Sequence, residues 1–296
     1  IMMKSKILLI IIPVIFLIGI SALLGSFAYK ETKKMEIAFK GETILGDLNL
    51  VEKQKEINKK LNEIQNNKSY TFEKAYVELN PYQVSPLSAI IIFYTPKSQE
   101  VSVYINDTFV TKMNATQKHA IPIYGLYENY ENKIKLVMDK QEIVYSIKTE
   151  ASGIKYPLEV LEKSNVLKHD NLYFTIASYS TWLTGWDITG KLRFYLTEDY
   201  RMDVEWLENG HFIIGTTQGQ FAENFVGFVE MDYLGKIYNY YTMENGFSFE
   251  SQVLSNGNIM SAGGSTPVYI KEQVIYEMNP KTGVKVSEIN ISELFT

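Results

Sequence analysis

The second half of the chain repeats a pattern of short apolar runs joined by turns that contain glycine after Asn or Asp. The run "WDITGKLRFYL" at 186–196 leads into "LENGHFIIG" at 207–215, and "VEMDYLGKIYNYY" at 229–241 leads into "LSNGNIMSA" at 254–262. The start of the unit returns as "IYEMNPKTGVKV" at 275–286. A repeat of about 40–50 residues built from short strands is typical of β-propeller blades. We therefore predict an incomplete β-propeller, with two full blade repeats and the start of a third, over 168–296.

Residues 69–150 carry another pattern, in which apolar and polar residues alternate with a period of two. Several short strands at this spacing predict a small β-sandwich domain. The segment 151–167, which contains Gly153 and Pro157, is predicted to be a linker. The predicted strands of the sandwich lie at 89–94, 100–107, 133–139 and 142–148, with a hairpin turn from Asp139 to Gln141.

One amphipathic helix is predicted from Asp47 to Gln65, inside a segment that we place at 31–68. Its apolar residues recur at steps of seven, four and three among Lys and Glu residues, which is the spacing of one helix face. We expect its charged residues to form a solvated face. The apolar residues are Leu50, Ile57, Leu61 and Ile64.

An uncharged apolar run extends from Ile7 to Ala28, after Lys4 and Lys6. It is longer than the hydrophobic region of an ordinary signal peptide, which needs about 7–15 residues, and it can also span a bilayer. Residues 1–30 are therefore either a signal peptide cleaved after Ala28 or a retained membrane anchor. Both alternatives predict an exported protein, extracellular or periplasmic, with membrane anchoring through 7–28 in the second case.

Composition narrows the classes of partner and chemistry. Tyr (21) and Phe (15) are abundant, which favours an all-β fold beyond the N-terminal helices. A net charge of −5 provides no broad basic surface, so we expect no nucleic-acid partner. The chain has no cysteine, which removes disulfides, thiolate metal sites and cysteine nucleophiles. No known metal-binding or nucleotide-binding motif is present, and we expect no metal site.

Histidine and arginine are the remaining candidates for chemistry. The three histidines are His119, His169 and His211, and the position of His211 is taken by Asn in the next repeat, which favours a residue beside a turn. The two arginines, Arg193 and Arg201, both lie in the first full repeat. A guanidinium near a propeller channel would bind sulfate or phosphate well, so both are candidate substrate-binding residues.

Four short pieces of the first domain occur together, in a fixed order. The segment "VELNPYQVSPLSAIIIF" at 77–93 contains Asn-Pro-Tyr and Ser-Pro-Leu, and "HAIPIYGLY" at 119–127 contains His-x-Ile-Pro and Gly-Leu-Tyr. In these pieces the chain resembles the N-terminal β-domain of the bacterial aryl-sulfate sulfotransferases. The resemblance continues through "EMDYLGKIYNYY" and "LSNGNIM" into the repeats.

The resemblance implies an exported six-bladed propeller behind a β-domain. It also implies transfer of a sulfuryl group from a phenolic sulfate ester to a phenol acceptor, through a sulfated histidine. No nucleotide sulfate donor takes part in that family, so no cofactor is expected. In such a reaction an imidazole attacks sulfur, while cationic or hydrogen-bonding groups stabilise the charge on the sulfuryl oxygens.

The chain departs from the family where the paired histidines should stand. Counting back from the second Asn-Gly turn puts Ser248 and Phe249 at those positions, followed by Glu250. Neither Ser248 nor Phe249 can replace an imidazole. Two explanations are open: the sequence is part of a longer protein, which we favour, or it is a truncated and inactive relative, a pseudoenzyme. In both cases we expect the chain to be inactive alone.

A second hypothesis is a non-catalytic extracellular binding module. Its exposed aromatic residues would contact a ligand or a cell-wall partner, and a homo-oligomer is compatible with either hypothesis. The aromatic candidates are Trp182, Trp186 and Trp206.

Overall fold

The computed structural model describes residues 48–154, 171–176, 183–197, 200–216, 225–265 and 270–295. The predicted signal or anchor at 1–30, nearly all of the linker, His169 and Trp182 lie outside these ranges. Within them no helix is both long and apolar enough to cross a bilayer. The elements are α1 Leu48–Asn66, β1 Tyr76–Leu79, β2 Ala89–Ile105, β3 Thr108–Ile123, β4 Glu131–Met138, β5 Gln141–Lys148, β6 Tyr173–Ile176, β7 Leu183–Trp186, β8 Leu192–Tyr195, β9 Tyr200–Trp206, β10 Phe212–Thr216, β11 Phe225–Met231, β12 Ile237–Val253, β13 Ile259–Ser265, β14 Ile270–Asn279, β15 Val284–Asn290 and a 3₁₀ helix Ile291–Phe295.

The first domain, which we call the β-domain, is a five-stranded antiparallel sheet of β1 to β5. Its centre is β2, whose first part pairs with β1 and whose last part pairs with β4, while β3 runs along it. Both parts of β2 supply one hydrophobic core, for example through Ile91 and Val103. The alternation in the sequence predicted β4 and β5 closely. The pattern missed β3, because the first half of that strand is polar and mostly exposed.

Helix α1, which its spacing predicted as an amphipathic helix, lies against the β-domain. Leu61 is buried in a cluster with Tyr82, Ile90 and Ile92, and Ile57 and Ile64 pack against the same cluster. The cluster also contains Leu234 from the repeats. The helix therefore contacts both halves of the molecule.

The repeats form two antiparallel sheets among the described residues. Strands β6 to β8 form a three-stranded sheet, and β9 to β15 form a seven-stranded sheet in sequence order. The long strand β12 joins two repeats, because its first residues pair with β11 and its last residues pair with β13. We call β6–β8 unit I, β9–β11 with 237–242 unit II, and 247–253 with β13–β15 unit III.

The units stack face to face, each sharing a hydrophobic core with its neighbour. The face of unit I that carries Trp186 and Tyr195 belongs to the core of the β-domain. The inner face of unit II, with Phe212 and Met231, shares a core with the outer face of unit I. The outer face of unit II shares a smaller core with Ile259 and Met278 of unit III. The described residues thus form a stack of β-domain, unit I, unit II and unit III.

The predicted all-β class and repeating propeller-like units are confirmed. The described repeats lie within the predicted 168–296, and unit I contributes three strands, of which β6 precedes the repeat that begins at 186 in the sequence pattern. One turn has the same geometry in units I and II: the backbone N–H groups of Leu234 and Lys236 donate to the Asp232 carboxylate, as those of Thr189 and Lys191 donate to Asp187. The repeat in the sequence therefore reflects hydrogen bonds that recur in the turns of neighbouring units.

Candidate functional site

Arg201 and the Ser248–Phe249 pair occupy matching places in neighbouring units. Arg201 lies at the start of β9, and Ser248 lies 47 positions later in the strand of unit III that corresponds to β9. The register of β12 and β13 is irregular between Phe247 and Ser251, which brackets the pair. Irregularities of this kind are frequent next to active sites because they redirect side chains. The side chains of these three residues lie outside the described part of the structure.

Arg193 joins the β-domain to unit I. Its Nε donates to the carbonyl oxygen of Gly125 at 2.8 Å, and its Nη1 donates to Oδ2 of Asp187 at 3.1 Å. The guanidinium carbon also lies 3.8 Å from the centroid of the Tyr127 ring. Burial tends to raise the pKa of Asp187, but hydrogen bonds from Thr189, Lys191 and Arg193 bring the pKa below its ordinary value. The guanidinium of Arg193 is thus engaged in a contact between domains.

His119 is buried in the β-domain. Its ring stacks on Phe93 with centroids 4.4 Å apart, and Nε2 lies 2.9 Å from Oγ1 of Thr95. Because the Thr95 hydroxyl donates to the carbonyl of Lys97, we assign the imidazole proton to Nε2. Nδ1 has no hydrogen-bond partner among the described residues, and burial lowers the pKa of His119 below its ordinary 6.5. The ring is therefore a neutral core group.

Replacing His119 with glutamine is expected to flatten the acid side of the stability profile. The lowered pKa of the folded state means that the unfolded chain binds the proton more readily below pH 6.5. Stability from this group is therefore complete above that pH and decreases as the pH falls through and below it. Urea unfolding of both proteins at about pH 7.5 and about pH 5.5 measures the difference. If both proteins lose the same stability between about pH 7.5 and about pH 5.5, the lowered pKa of His119 is contradicted.

His211 takes part in a carboxylate cluster in unit II. Its Nδ1 lies 2.6 Å from Oε1 of Glu230, which also accepts from the Asn209 amide at 3.1 Å. The other carboxylate oxygen accepts from Asn239 at 2.7 Å and from the Tyr241 hydroxyl at 3.4 Å. Burial by itself raises the pKa of Glu230, but the donors from His211, Asn239 and Asn209 outweigh it and lower the pKa. We call this group the glutamate knot.

The knot recurs in unit III without histidine. Glu277 accepts from Asn256 at 3.1 Å and from Asn258 at 2.6 Å, and its second oxygen accepts from Ser287 at 3.1 Å. Asn258 thus makes the contact that His211 makes in unit II. In unit I the position that matches Glu230 and Glu277 is Gly185. There Phe174 and Phe194 fill the space that a side chain would take. The prediction that His211 lies beside a turn agrees with this geometry, although its ring is largely covered.

The pieces of sequence that carried the family resemblance lie at the contact between the domains. The Ser85 hydroxyl donates to the carbonyl of Tyr233 at 2.8 Å, and the Val84 carbonyl accepts from Thr197 N at 2.9 Å. Asn80 holds this loop, because its Oδ1 accepts from Ser85 N and its own φ is 51°. The Gly-Leu-Tyr piece supplies the groups that contact Arg193. These motifs therefore position one domain on the other.

Sequence reasoning missed Gln54, which helix α1 inserts into the turn of unit II. Gln54 is 3% exposed, its Nε2 donates to the carbonyl of Gly235, and its Oε1 accepts from Ile237 N, both at 2.8 Å. The side chain thus binds the turn as a neighbouring strand would. A polar residue at an apolar helix position was the only signal in the sequence, and it had no visible partner.

The tryptophans differ in environment. Trp186 is buried in the core of the β-domain, and its Nε1 donates to Thr184. Trp206 is 47% exposed, and its Nε1 donates to the Tyr233 hydroxyl at 2.8 Å. Of the described two, Trp206 alone presents a surface to a ligand. No group of three or more His, Asp or Glu residues that could hold a metal ion occurs in the described ranges.

The fold and its contacts define a repeat protein of propeller-like units with a β-domain docked at its start. A family model described as the arylsulfotransferase Ig-like domain matches residues 76–155, and one described as arylsulfotransferase (ASST) matches residues 158–296. The chain belongs to the arylsulfotransferase family.

Other comparisons are weaker. No curated protein sequence matches the chain. Among solved structures, the crystal structure of Kluyvelomyces marxianus Hsv2 matches with 14% identity and a TM-score of 0.27 over 73% of this chain. The match covers 64% of the length of that protein.

Proposed function

We propose that the protein serves the transfer of a sulfuryl group from a phenolic sulfate ester to a phenol through a sulfo-histidine, and that the 296-residue chain does not catalyse it alone. In this reaction an imidazole nitrogen forms a bond to sulfur while the ester S–O bond breaks and the phenolate leaves, taking a proton. The acceptor phenol then attacks the same sulfur, loses its proton and releases the imidazole. The family membership supports the reaction class.

The match between Arg201 and Ser248 carries the proposal. Arg201 stands in unit II at the place that Ser248 holds in unit III, and the family resemblance puts imidazoles at Ser248 and Phe249. A guanidinium at this place suits the oxygens of a sulfuryl group, since it offers paired N–H donors and a fixed charge. The two histidines of the described ranges, His119 and His211, are engaged in structural contacts. We therefore infer a site that binds sulfate esters and has no nucleophilic histidine among the described residues.

Binding of 4-nitrophenyl sulfate to the chain should occur without release of 4-nitrophenolate. The Arg201→Gln variant should bind about tenfold to a hundredfold more weakly, because a charge-assisted hydrogen bond contributes about 1.5–3 kcal/mol. Lys140→Gln removes a charge from an exposed turn and should leave binding unchanged. Calorimetry and an absorbance assay with phenol as acceptor measure both properties. Turnover by the unmodified chain would refute the proposed lack of a nucleophile.

A binding module is the second candidate, and the exposed Trp206 favours it. A variant with both Ser248→His and Phe249→His separates the two functions. If a transfer site is present, this variant should bind 4-nitrophenyl sulfate more tightly than the unmodified chain, because two imidazoles add hydrogen-bond donors for the sulfuryl oxygens. Unchanged affinity, together with weaker ligand binding after Trp206→Ala, would favour the binding module.

For the location, we propose export, with residues 7–28 acting as a signal peptide or as a membrane anchor. The length and composition of that run support it. N-terminal sequencing of the exported protein separates the alternatives, because cleavage after Ala28 leaves Tyr29 as the first residue.

A further inference from the structure

The turn by which unit II contacts the N-terminal part of the chain is built around a buried carboxylate. Asp232 is 8% exposed, and its Oδ1 accepts from the backbone N–H groups of Leu234 and Lys236 at 2.9 and 3.1 Å. Its Oδ2 accepts from the Tyr238 hydroxyl at 3.1 Å. In the described part of the structure no lysine, arginine or histidine forms an ion pair with Asp232. The carboxylate is therefore hydrogen-bonded without a cation to balance its charge.

Unit I holds the equivalent carboxylate in another way. Asp187 accepts from Nη1 of Arg193 at 3.1 Å, and this arginine lies six positions after it. Six positions after Asp232 the residue is Tyr238, so a hydroxyl takes the place of the guanidinium. Burial tends to raise the pKa of both carboxylates. Hydrogen bonds outweigh burial at Asp187, whereas at Asp232 burial prevails and the pKa lies above the ordinary 3.8.

Unit III shows that a neutral side chain can hold this turn. There Asn279 takes the place of the aspartate, and its Oδ1 accepts from Lys281 N at 2.9 Å, as Asp232 accepts from Leu234 N. A protonated carboxyl likewise keeps one acceptor oxygen, and it gains an O–H donor that can reach the Tyr238 oxygen. Proton uptake by Asp232 therefore leaves the turn intact and removes a buried charge.

The same turn carries contacts with helix α1 and the β-domain. Gln54 of helix α1 joins the Gly235 carbonyl to Ile237 N through two bonds of 2.8 Å, and this amide is neutral. Two tyrosines of the β-domain lie close enough to Asp232 for its negative charge, added to burial, to raise their pKa. The titratable or charged groups that face Asp232 are Tyr82 and Tyr124 of the β-domain and Lys236, Tyr238 and His211 of unit II.

We propose that Asp232 is a proton-sensitive docking residue, which makes the N-terminal part of the chain hold unit II more firmly after it takes up a proton. A buried charge without a cation costs free energy, and protonation removes that cost. Because the pKa of Asp232 in the docked turn is above the ordinary 3.8, docking has its full strength below 3.8 and weakens as the pH rises through the raised value. Asp187 responds in the opposite direction, since its contribution is complete above 3.8 and is lost as the pH falls through its lowered value. This regulation does not depend on sulfuryl transfer.

Hydrogen exchange of one amide can test this in the 296-residue chain. The N–H of Ile237 donates to Gln54, so its protection reports how firmly helix α1 holds the turn. The Asp232→Asn variant carries a neutral side chain at every pH and is the reference. Exchange is measured by NMR for both proteins at about pH 7.5 and about pH 5. Dividing the two protection factors at each pH removes the intrinsic pH dependence of exchange.

The protection of Ile237 in the unmodified chain, relative to Asp232→Asn, should rise by at least about twofold from the higher to the lower pH. Asp187→Asn is the control and should leave this rise unchanged. Tyr238→Phe removes a hydroxyl that favours the charged form of Asp232, so its Ile237 protection should rise more than that of the unmodified chain. This variant also gives a reading if Asp232→Asn does not fold.

Three results would overturn the proposal. A relative protection of Ile237 that is the same at both pH values would show that Asp232 does not act on docking. An equal rise at the amide of Leu136, in the core of the β-domain, would show a change of global stability instead. Loss of the rise in a His211→Asn background would make His211 the group that takes up the proton.

Discussion

Replacing Gly235 with alanine is expected to destabilise the protein by about 2–4 kcal/mol, far more than the same change at Gly210 or Gly257. All three glycines have φ between 80° and 83°. Each alanine therefore carries the cost of a left-handed conformation, about 1–2 kcal/mol. Only at Gly235 would the new Cβ also overlap another domain, at Cγ2 of Val84, whereas nothing lies within 4 Å at the other two. Urea unfolding of the three variants measures the difference.

Gly210 and Gly257 serve as matched controls because they carry the conformational cost alone. The Val84→Ala change tests whether the additional destabilisation at Gly235 comes from the overlap with Val84, since it removes the methyl group that the new Cβ would meet. In the double variant the two changes should be less costly than their sum, which a double-mutant cycle detects. Equal destabilisation by all three alanine variants would mean that the contact between domains contributes nothing.

The sensitivity of Gly235 follows from how the N-terminal part of the chain binds two successive units. Unit I is held through Arg193, which contacts Gly125 and Tyr127 of the β-domain. Unit II is held at one turn, by Ser85 of the β-domain and Gln54 of helix α1. The β-domain thus takes the place that a preceding unit would take against unit I.

Local elements were predictable from the sequence because their signals are local. The helix is confirmed at 48–66 against a prediction of 47–65, since Ile57, Leu61 and Ile64 recur at helical steps. Strands β4 and β5 follow from alternation, and Asp139 at their turn has a φ of 53°, as a tight hairpin requires. The repeat period indicated the units because turns recur between neighbouring units, as Gly210 N donates to Leu207 and Gly257 N donates to Leu254.

Contacts between domains were not predictable in the same way. Ser85 and Tyr233 are 148 positions apart, and Gln54 and Gly235 are 181 apart, so no periodicity links them. The resemblance highlighted Asn80 and Ser85 as family motifs, but only the structure shows that they dock a domain. For the candidate site, the alignment of one repeat with the next supplied the match between Arg201 and Ser248.

The glutamate knot was visible in the sequence but was not recognised. Glu-Met-Asp at 230–232 and Glu-Met-Asn at 277–279 repeat at the same step as the Asn-Gly turns. A carboxylate that repeats at the same step as a turn indicates that it accepts hydrogen bonds from residues of that turn, as Glu230 and Glu277 do from Asn209 and Asn256. The sequence placed His211 beside the turn but did not connect it with Glu230, which lies 19 positions away.

Replacing Glu230 with alanine is expected to cost about 3–5 kcal/mol, because a buried hydrogen-bonded charge cluster loses its acceptor. The side chain of Glu230 is only 9% exposed, and its donors His211, Asn209 and Asn239 would face an empty site. The lowered pKa of Glu230 adds a pH dependence. Its contribution is complete above the unfolded value of 4.5 and is lost as the pH falls through the lower folded value. Urea unfolding at neutral pH and at about pH 4 measures both effects.

Unit III provides the control for this prediction. Glu277→Ala removes the same acceptor from an exposed knot, so its effect should be much smaller. His211→Asn gives unit II the residue that unit III carries as Asn258, whose amide donates to Glu277. This variant should keep most of the stability, while His211→Ala should lose more because it leaves a donor position empty. If His211→Asn destabilises the protein as much as Glu230→Ala, the imidazole has a role that an amide cannot fill. Hydrogen bonding within the glutamate knot would then not explain why unit II carries His211.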